Sequence, residues 1–307
     1  MNRDERIVKL KLDVIFKRVF GNENNTNIIS AFVSALLEIP RESIKKIYIN
    51  NVELTPEYLE QKFSRLDLKL DVDGRIVNVE MQVNSEPDFK ERTLFYWSRL
   101  YSEELRSGDE YADLRQTICI NIINFNLFDT PEYHSFFRVM ENERHEILTD
   151  KLAIHFFELR KIGNCRKNKP MEDWLDLINA ETEEELMELQ RSTTIPEIHE
   201  TIVMLRELSA DEKIRQEAYY REKRLHDEAS ALGHARREGI AEGMVKGKAE
   251  GIAEGIAEGM AKGKAEGIAE GMVKGKAEGK AEFAAEITER LQAMGFSEEQ
   301  IKKALEG

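Results

Sequence analysis

The sequence predicts an α/β protein, a mixed α+β sheet with core order α-β-β-β-α-β, followed by a helical arm. Three observations carry this reading. Residues 64–84 alternate apolar and polar side chains on either side of Asp73-Gly74, the pattern of a β-hairpin with a tight two-residue turn. Thr117–Phe125, TICINIINF, is a nearly continuous apolar run, as in a strand covered on both faces. From Gly239 to Gly279 glycine recurs at every fourth position among Ala, Glu and Lys, which are helix formers.

The elements follow in order. Residues 7–20 mix charged and apolar side chains and stop at Gly21, and Asn25-Thr26 opens a helix-like run, NIISAFVSALLEI, that Pro40 closes. Ile44–Leu54 reads as a first strand, with 64–72 and 75–84 as the hairpin strands. If Asp73 and Gly74 form the loop, Val72 pairs with Arg75 and the whole register follows. Asp67 then faces Glu80, Arg65 faces Gln82 and Lys69 faces Asn78, while Leu66, Leu68 and Leu70 face Met81, Val79 and Val77. Alternation gives one apolar face and one that gathers Asp67, Glu80, Gln82 and Lys69. Pro87 stands at a helix start, and Asp88–Ser107 keeps helical periodicity to a stop at Gly108. Ser135–Met140 and Lys151–Leu159 read as further strands, and Lys161–Lys169 as a basic loop.

Residues 1–165 are thus expected to form the α/β domain, 166–237 a helical lobe, 238–281 the repeat and 282–307 a small helical hairpin. In the lobe, Asn179–Glu184 and Pro196 mark helix starts. In the repeat, Glu242–Lys246, Glu258–Lys262 and Glu270–Lys274 are spaced for i,i+4 pairs of about 0.3–0.5 kcal/mol each. Glycine costs about 1 kcal/mol relative to alanine at each position, so the penalty outweighs the pairs and predicts a frayed helix in isolation. A spacer of variable length and a device for self-association both fit this stretch. The final segment breaks at Gly295 and restarts at Ser297-Glu298-Glu299-Gln300, a capping box.

The polar hairpin face carries the chemistry. Directly opposed residues have Cβ atoms roughly 4.5–5.5 Å apart, and two carboxylates that close repel unless a cation lies between them. Mg²⁺ takes one or two carboxylates, keeps several waters and suits phosphodiester chemistry. The Asp67–Glu80 pair therefore points to a metal-dependent nuclease site.

Asp67, followed after twelve residues by Glu80-Met81-Gln82, resembles the D…(D/E)xK signature of the PD-(D/E)XK nuclease superfamily, with Gln82 in the lysine position. Together with Asp13-Val14-Ile15-Phe16-Lys17, Asp88–Arg92 through Tyr96, Arg99-Leu100-Tyr101, Gly108, Tyr111 and Leu208–Glu212, the pattern is similar to the Rpn family. That family comprises recombination-promoting nucleases, also called transposases, of the PD-(D/E)XK type with its restriction-endonuclease-like core. The resemblance spans about residues 7–240. It implies that Asp67 and Glu80 ligate Mg²⁺, with Mn²⁺ as the alternative ion, and that Gln82 assists at the phosphate. The Met81 backbone carbonyl would complete the coordination.

Other residues fill in around this pair. Gln82 can orient water or donate to a phosphate oxygen, but it cannot act as a general base. Lys69 lies diagonal to Glu80 and offers the positive charge that the lysine of the motif would supply, or a simple salt bridge. Arg92, Tyr96 and Arg99 form one helix stripe, suited to nucleic-acid contact or to structural ion pairs. Asp13 and Lys17 are either a further acid with a phosphate contact or an intrahelical pair, and Asp71 reads as a solvated acid at the turn.

Composition sets the limits. A net charge of −14 opposes tight, sequence-independent duplex binding over the whole surface, so DNA would be a transient partner held in a local groove. Two cysteines, Cys119 and Cys165, make no disulfide framework. No run approaches a membrane span and the N-terminal residues carry no signal-peptide pattern, which makes the cytoplasm the expected location. The six histidines lack zinc spacing, no phosphate-binding GxxxxGK[ST] occurs, and no DDE triad with suitable spacing is evident. The function expected is a DNA endonuclease linked to recombination or mobile elements. The rival is a catalytically weak scaffold that uses the same fold and associates through its arm, and an RNase with this site is a third reading.

Overall fold

The computed structural model describes residues 7–49, 68–106, 108–167 and 169–305. Two helices open the fold, α1 (Asp13–Phe20) and α2 (Thr26–Leu37), and Glu38 ends α2 in a left-handed conformation two residues before Pro40. They are followed by β1 (Ile47–Ile49), β2 (Leu68–Val72), β3 (Arg75–Gln82), α3 (Phe89–Ser102) and β4 (Thr117–Ile123). Strands β5 (His134–Phe137) and β6 (Leu152–Glu158) complete a six-stranded sheet of order β1-β2-β3-β4-β6-β5. The mixed α/β class and the α-β-β-β-α-β order stand as the sequence implied. The expected strand ends 50–54 and 64–67 lie outside the described residues, as do Arg65, Leu66 and Asp67 themselves.

The hairpin register is the expected one. Val72 pairs with Arg75, Asp71 with Ile76, Leu70 with Val77, Lys69 with Asn78 and Leu68 with Val79. Asp73 and Gly74 both take positive φ, 51° and 79°, which gives the loop a twist matched to the strands it joins. The Asp73 carboxylate accepts the backbone N–H groups of Lys45 and Lys46, which holds it below the usual carboxylate range and ties the chain before β1 to the turn. The next strand pairing, β3 with β4, is parallel and so needs a crossover, which α3 supplies.

The sheet has two unlike faces. One carries Leu68, Leu70, Val72, Val77, Val79, Met81, Ile118, Ile120 and Ile122 into the main core with α1 and α2. Phe20 stacks on Phe32 at 4.3 Å between ring centroids, and Trp174 meets Phe32 edge-on at 5.4 Å. Trp174 comes from α4 (Pro170–Asn179), which enters this core with α5 (Glu183–Ser192) and α6 (Pro196–Ala210). Thr182 starts α5 with a full capping box to Glu185. Beneath α3, the other face buries Ile76, Phe89, Leu100, Cys119, Ile123 and Phe156. All seven residues of β4 are buried, as its unbroken apolar run requires.

Some boundaries move. Helix α3 stops at Ser102 rather than Ser107: the Ser102 hydroxyl caps the Arg99 carbonyl at 3.0 Å, and Glu104 is drawn to Arg115. Asp13 does not pair with Lys17 along α1. Its carboxylate accepts Arg221 Nε at 2.6 Å, from the start of α7 (Glu212–Ala293).

Residues up to Ser230 form one compact unit and those from Ala231 a second. In the second, the glycine repeat is helical throughout, and a Cβ added at any glycine of the repeat would meet nothing within 4 Å. The i,i+4 ion pairs within the repeat are Lys246–Glu250 and Lys262–Glu266, at 3.9 and 4.0 Å, instead of the Glu-to-Lys pairs expected among the described residues. A turn at Gly295 (φ 84°) leads to α8 (Glu298–Leu305), where Gln300 Oε1 accepts both the N–H and the hydroxyl of Ser297. Among the described residues no helix is long and apolar enough to cross a membrane.

Where β5 meets β6, His134 Nε2 and His155 Nδ1 lie 3.0 Å apart, with Phe136 and Phe157 stacked on them at 4.3 Å. Burial lowers both rings, His134 to about 4 and His155 to about 3, and the latter is lowered further by His134 itself. Between about pH 6.5 and these values the unfolded chain binds protons that the native chain does not, so stability falls on acidification. For His155 the slope is at most about 1.4 kcal/mol per pH unit. His155→Phe is expected to flatten the dependence of the denaturation midpoint on pH between 6.5 and 4. At the turn, Gly74→Val is expected to lower stability by about 1–3 kcal/mol, because a β-branched residue is strained at positive φ. Chemical denaturation measures both.

Candidate active site

The polar residues of β3 point to the α3 face because the apolar ones point to the main core. Glu80 lies there 6% exposed, with Asn78 1% exposed two residues before it and Gln82 half-buried two residues after. Asn78 Nδ2 donates to Glu80 Oε1 at 3.3 Å, and Asn78 Oδ1 has no hydrogen-bond partner among the described residues. Asn121, the Cα partner of Glu80 on β4, donates to the His155 carbonyl at 3.1 Å and accepts the Thr93 hydroxyl of α3 at 3.3 Å. Asn78, Asn121 and Thr93 were not singled out in the sequence. Their signal was there for the first two: Asn78 precedes Glu80 by one strand period, and Asn121 interrupts an apolar run.

At the end of β3 a second cluster forms. Arg92 Nη2 donates to Gln82 Oε1 at 3.2 Å, and Gln82 Nε2 donates to Glu86 Oε1 at 3.0 Å and to the Asn84 carbonyl at 3.1 Å. Arg92 also pairs with Glu86 Oε2. The first residue of the helix stripe thus reaches the hairpin, as its position on α3 suggested. The other two are placed differently. Tyr96 is buried with its ring 5.9 Å from the Arg92 guanidinium, and Arg99 pairs with Glu103 at 2.7 Å.

Lys69 is half-buried opposite Asn78, diagonal to Glu80, as the register requires. Asp71 is not a loose solvated acid. It accepts the Gly74 N–H at 3.0 Å and pairs with Arg115 at 2.5 Å, so it braces the turn. Met81 packs its side chain in the main core. Lys17 sits on α1, whose buried side chains fill that same core on the face opposite α3, and it borders an opening of about 610 Å³ with Arg18 and Asn22. Asp67 lies outside the described residues.

No cluster of three or more His, Cys, Asp or Glu that could hold a metal occurs among the described residues. What they offer at Glu80 is a buried carboxylate beside an unpaired amide oxygen. The Glu80 carboxylate is a hard oxygen donor of the kind Mg²⁺ accepts, since the ion takes one or two carboxylates and keeps water in its remaining positions.

A family model described as PD-(D/E)XK nuclease family transposase matches residues 10–235. No curated protein and no solved structure matches the chain.

Cys119 closes the floor of the site. It is 1% exposed, and burial, together with the Glu80 charge, pushes its thiol well above the ordinary range. In native protein a thiol reagent is expected to modify the half-buried Cys165 and spare Cys119, with both reacting after unfolding. Mass spectrometry of the labelled peptides checks this.

Proposed function

The chain belongs to the PD-(D/E)XK nuclease family transposases, and we propose that it is an Mg²⁺-dependent endonuclease acting on DNA. The observation that supports this reading best is the hairpin register. It pairs Leu68 with Val79 and sets Glu80 on the polar face, and Asp67, the residue before Leu68 in sequence, is the second acid the proposal needs. We assign Asp67, Glu80 and the Met81 carbonyl to the metal.

A divalent cation held there supplies Lewis acidity at the scissile phosphate and lowers the pKa of bound water. The protein's part is to hold and orient. Asn78 fixes the Glu80 carboxylate, while the Gln82 amide, itself fixed by Arg92, aligns water or a phosphate oxygen. Lys69 places positive charge diagonal to Glu80 without competing for the metal. Arg92 stabilises phosphate charge through its planar fork of donors. The overall charge of −14 keeps DNA contact local and transient. Promotion of DNA recombination, or movement of a mobile element, is the cellular role we propose for such cutting.

The test is nicking of supercoiled plasmid by the full-length protein. Mg²⁺ is expected to support cutting and EDTA to abolish it. Asp67→Ala is expected to reduce the rate at least ~100-fold, since the ion contributes several kcal/mol to the transition state. Equal cutting by the two proteins would remove Asp67 from the site. No cutting of DNA with Mg²⁺ or Mn²⁺ would overturn the proposal, and cutting of RNA alone would reassign the substrate.

A further inference from the structure

The cluster at the end of β3 has the form of an anion-binding slot with an anion already in it. Glu86, on the loop between β3 and α3, presents two carboxylate oxygens to two different donors. Oε2 takes Arg92 Nη1, and Oε1 takes Gln82 Nε2 at 3.0 Å. A phosphodiester likewise presents two non-bridging oxygens that share one negative charge, and an arginine fork recognises either group.

The donors are fixed by contacts that do not involve Glu86. The Arg92 guanidinium rests 4.9 Å from the Phe89 ring centroid and 5.9 Å from that of Tyr96, and its Nη2 bonds Gln82. Gln82 Nε2 keeps its other hydrogen bond to the Asn84 carbonyl, and the Asn84 side chain is anchored to the Leu225 carbonyl at 2.8 Å. Glu86 itself has a side chain 47% exposed, against 21% for Arg92. If Glu86 swings out, one Arg92 N–H and one Gln82 N–H remain aimed at the same place, and a half-buried arginine fork left without an anion is unfavourable.

We infer that Glu86 is a built-in substitute for a backbone phosphate of the nucleic acid. It closes the Arg92–Gln82 slot in the free protein and leaves when a strand phosphate enters. The inference rests on the nuclease reading above and gives its Arg92 and Gln82 a defined ligand. The exchange replaces one anion by another, so the slot is never left as an uncompensated positive charge. It also means that a strand must displace Glu86 before Gln82 can serve the phosphate.

The test is binding of a labelled DNA duplex by full-length protein in EDTA, followed by fluorescence anisotropy. Glu86→Ala is expected to bind about fivefold tighter than the parent protein, since an ion pair of this exposure competes weakly. Glu91→Ala removes the same charge from an exposed position on α3 and controls for general electrostatics. In an Arg92→Gln background the gain from Glu86→Ala is expected to vanish. Binding by Glu86→Ala no tighter than by Glu91→Ala, or weaker than by the parent protein, would make Glu86 a brace for Arg92 and overturn the slot while leaving the nuclease reading intact. Failure of every protein to bind the duplex while plasmid nicking persists would overturn the slot alone, and loss of nicking as well would overturn both.

Discussion

The site hangs on the register of one hairpin. A strand alternates faces with a period of two, so a slip of one residue between β2 and β3 would turn Glu80 and Gln82 into the main core and Val79 and Met81 out of it. The turn excludes that slip in several ways. Asp73 and Gly74 occupy positive φ, Asp71 binds the Gly74 N–H and Arg115, and Asp73 binds the Lys45 and Lys46 N–H groups. Each contact acts at the closed end of the hairpin, remote from Glu80. The pleat carries their effect along β3 to the acid.

Those same alternations divide the sheet into a dry face and a selectively polar one. Burying Glu80 is unfavourable by itself, and the surroundings reduce the cost with an amide donor from Asn78. Thr93 and Asn121 join α3 to β4 close by, so the helix that carries Arg92 is set against the strand that flanks Glu80. The acid and the arginine thus belong to one scaffold. Glu86, on the loop between β3 and α3, belongs to neither element.

The glycine repeat shows a different balance. Summed propensities weigh glycine against alanine, glutamate and lysine and leave little margin, and the helix runs through every repeat. Its apolar residues stay in solvent, Ile240 54%, Met244 71% and Met272 72% exposed, so no packing within the second unit accounts for it. Ion pairs at 3.9–4.0 Å in the repeat are long and exposed and contribute little.

Much of the architecture was legible in the order of residues. Asp73-Gly74 gave the hairpin and its register, the run at β4 gave a fully covered strand, and Thr182 and Pro196 gave two helix starts. These are local rules of alternation, φ preference and capping, and they act over a few neighbours. The place of Glu80 on the polar face was legible for the same reason, because alternation fixes the face of each residue along β3. What the sequence did not hold was the partner of each charge. Asp13 goes to Arg221, Asp71 to Arg115, and Arg92 to Gln82 and Glu86, while Tyr96 of the same stripe is buried. Those choices depend on which helix is laid across which face, and long side chains settle them only after the backbone is in place. The sequence by itself determined the faces of the sheet, and the tertiary structure alone decided which charges meet across them.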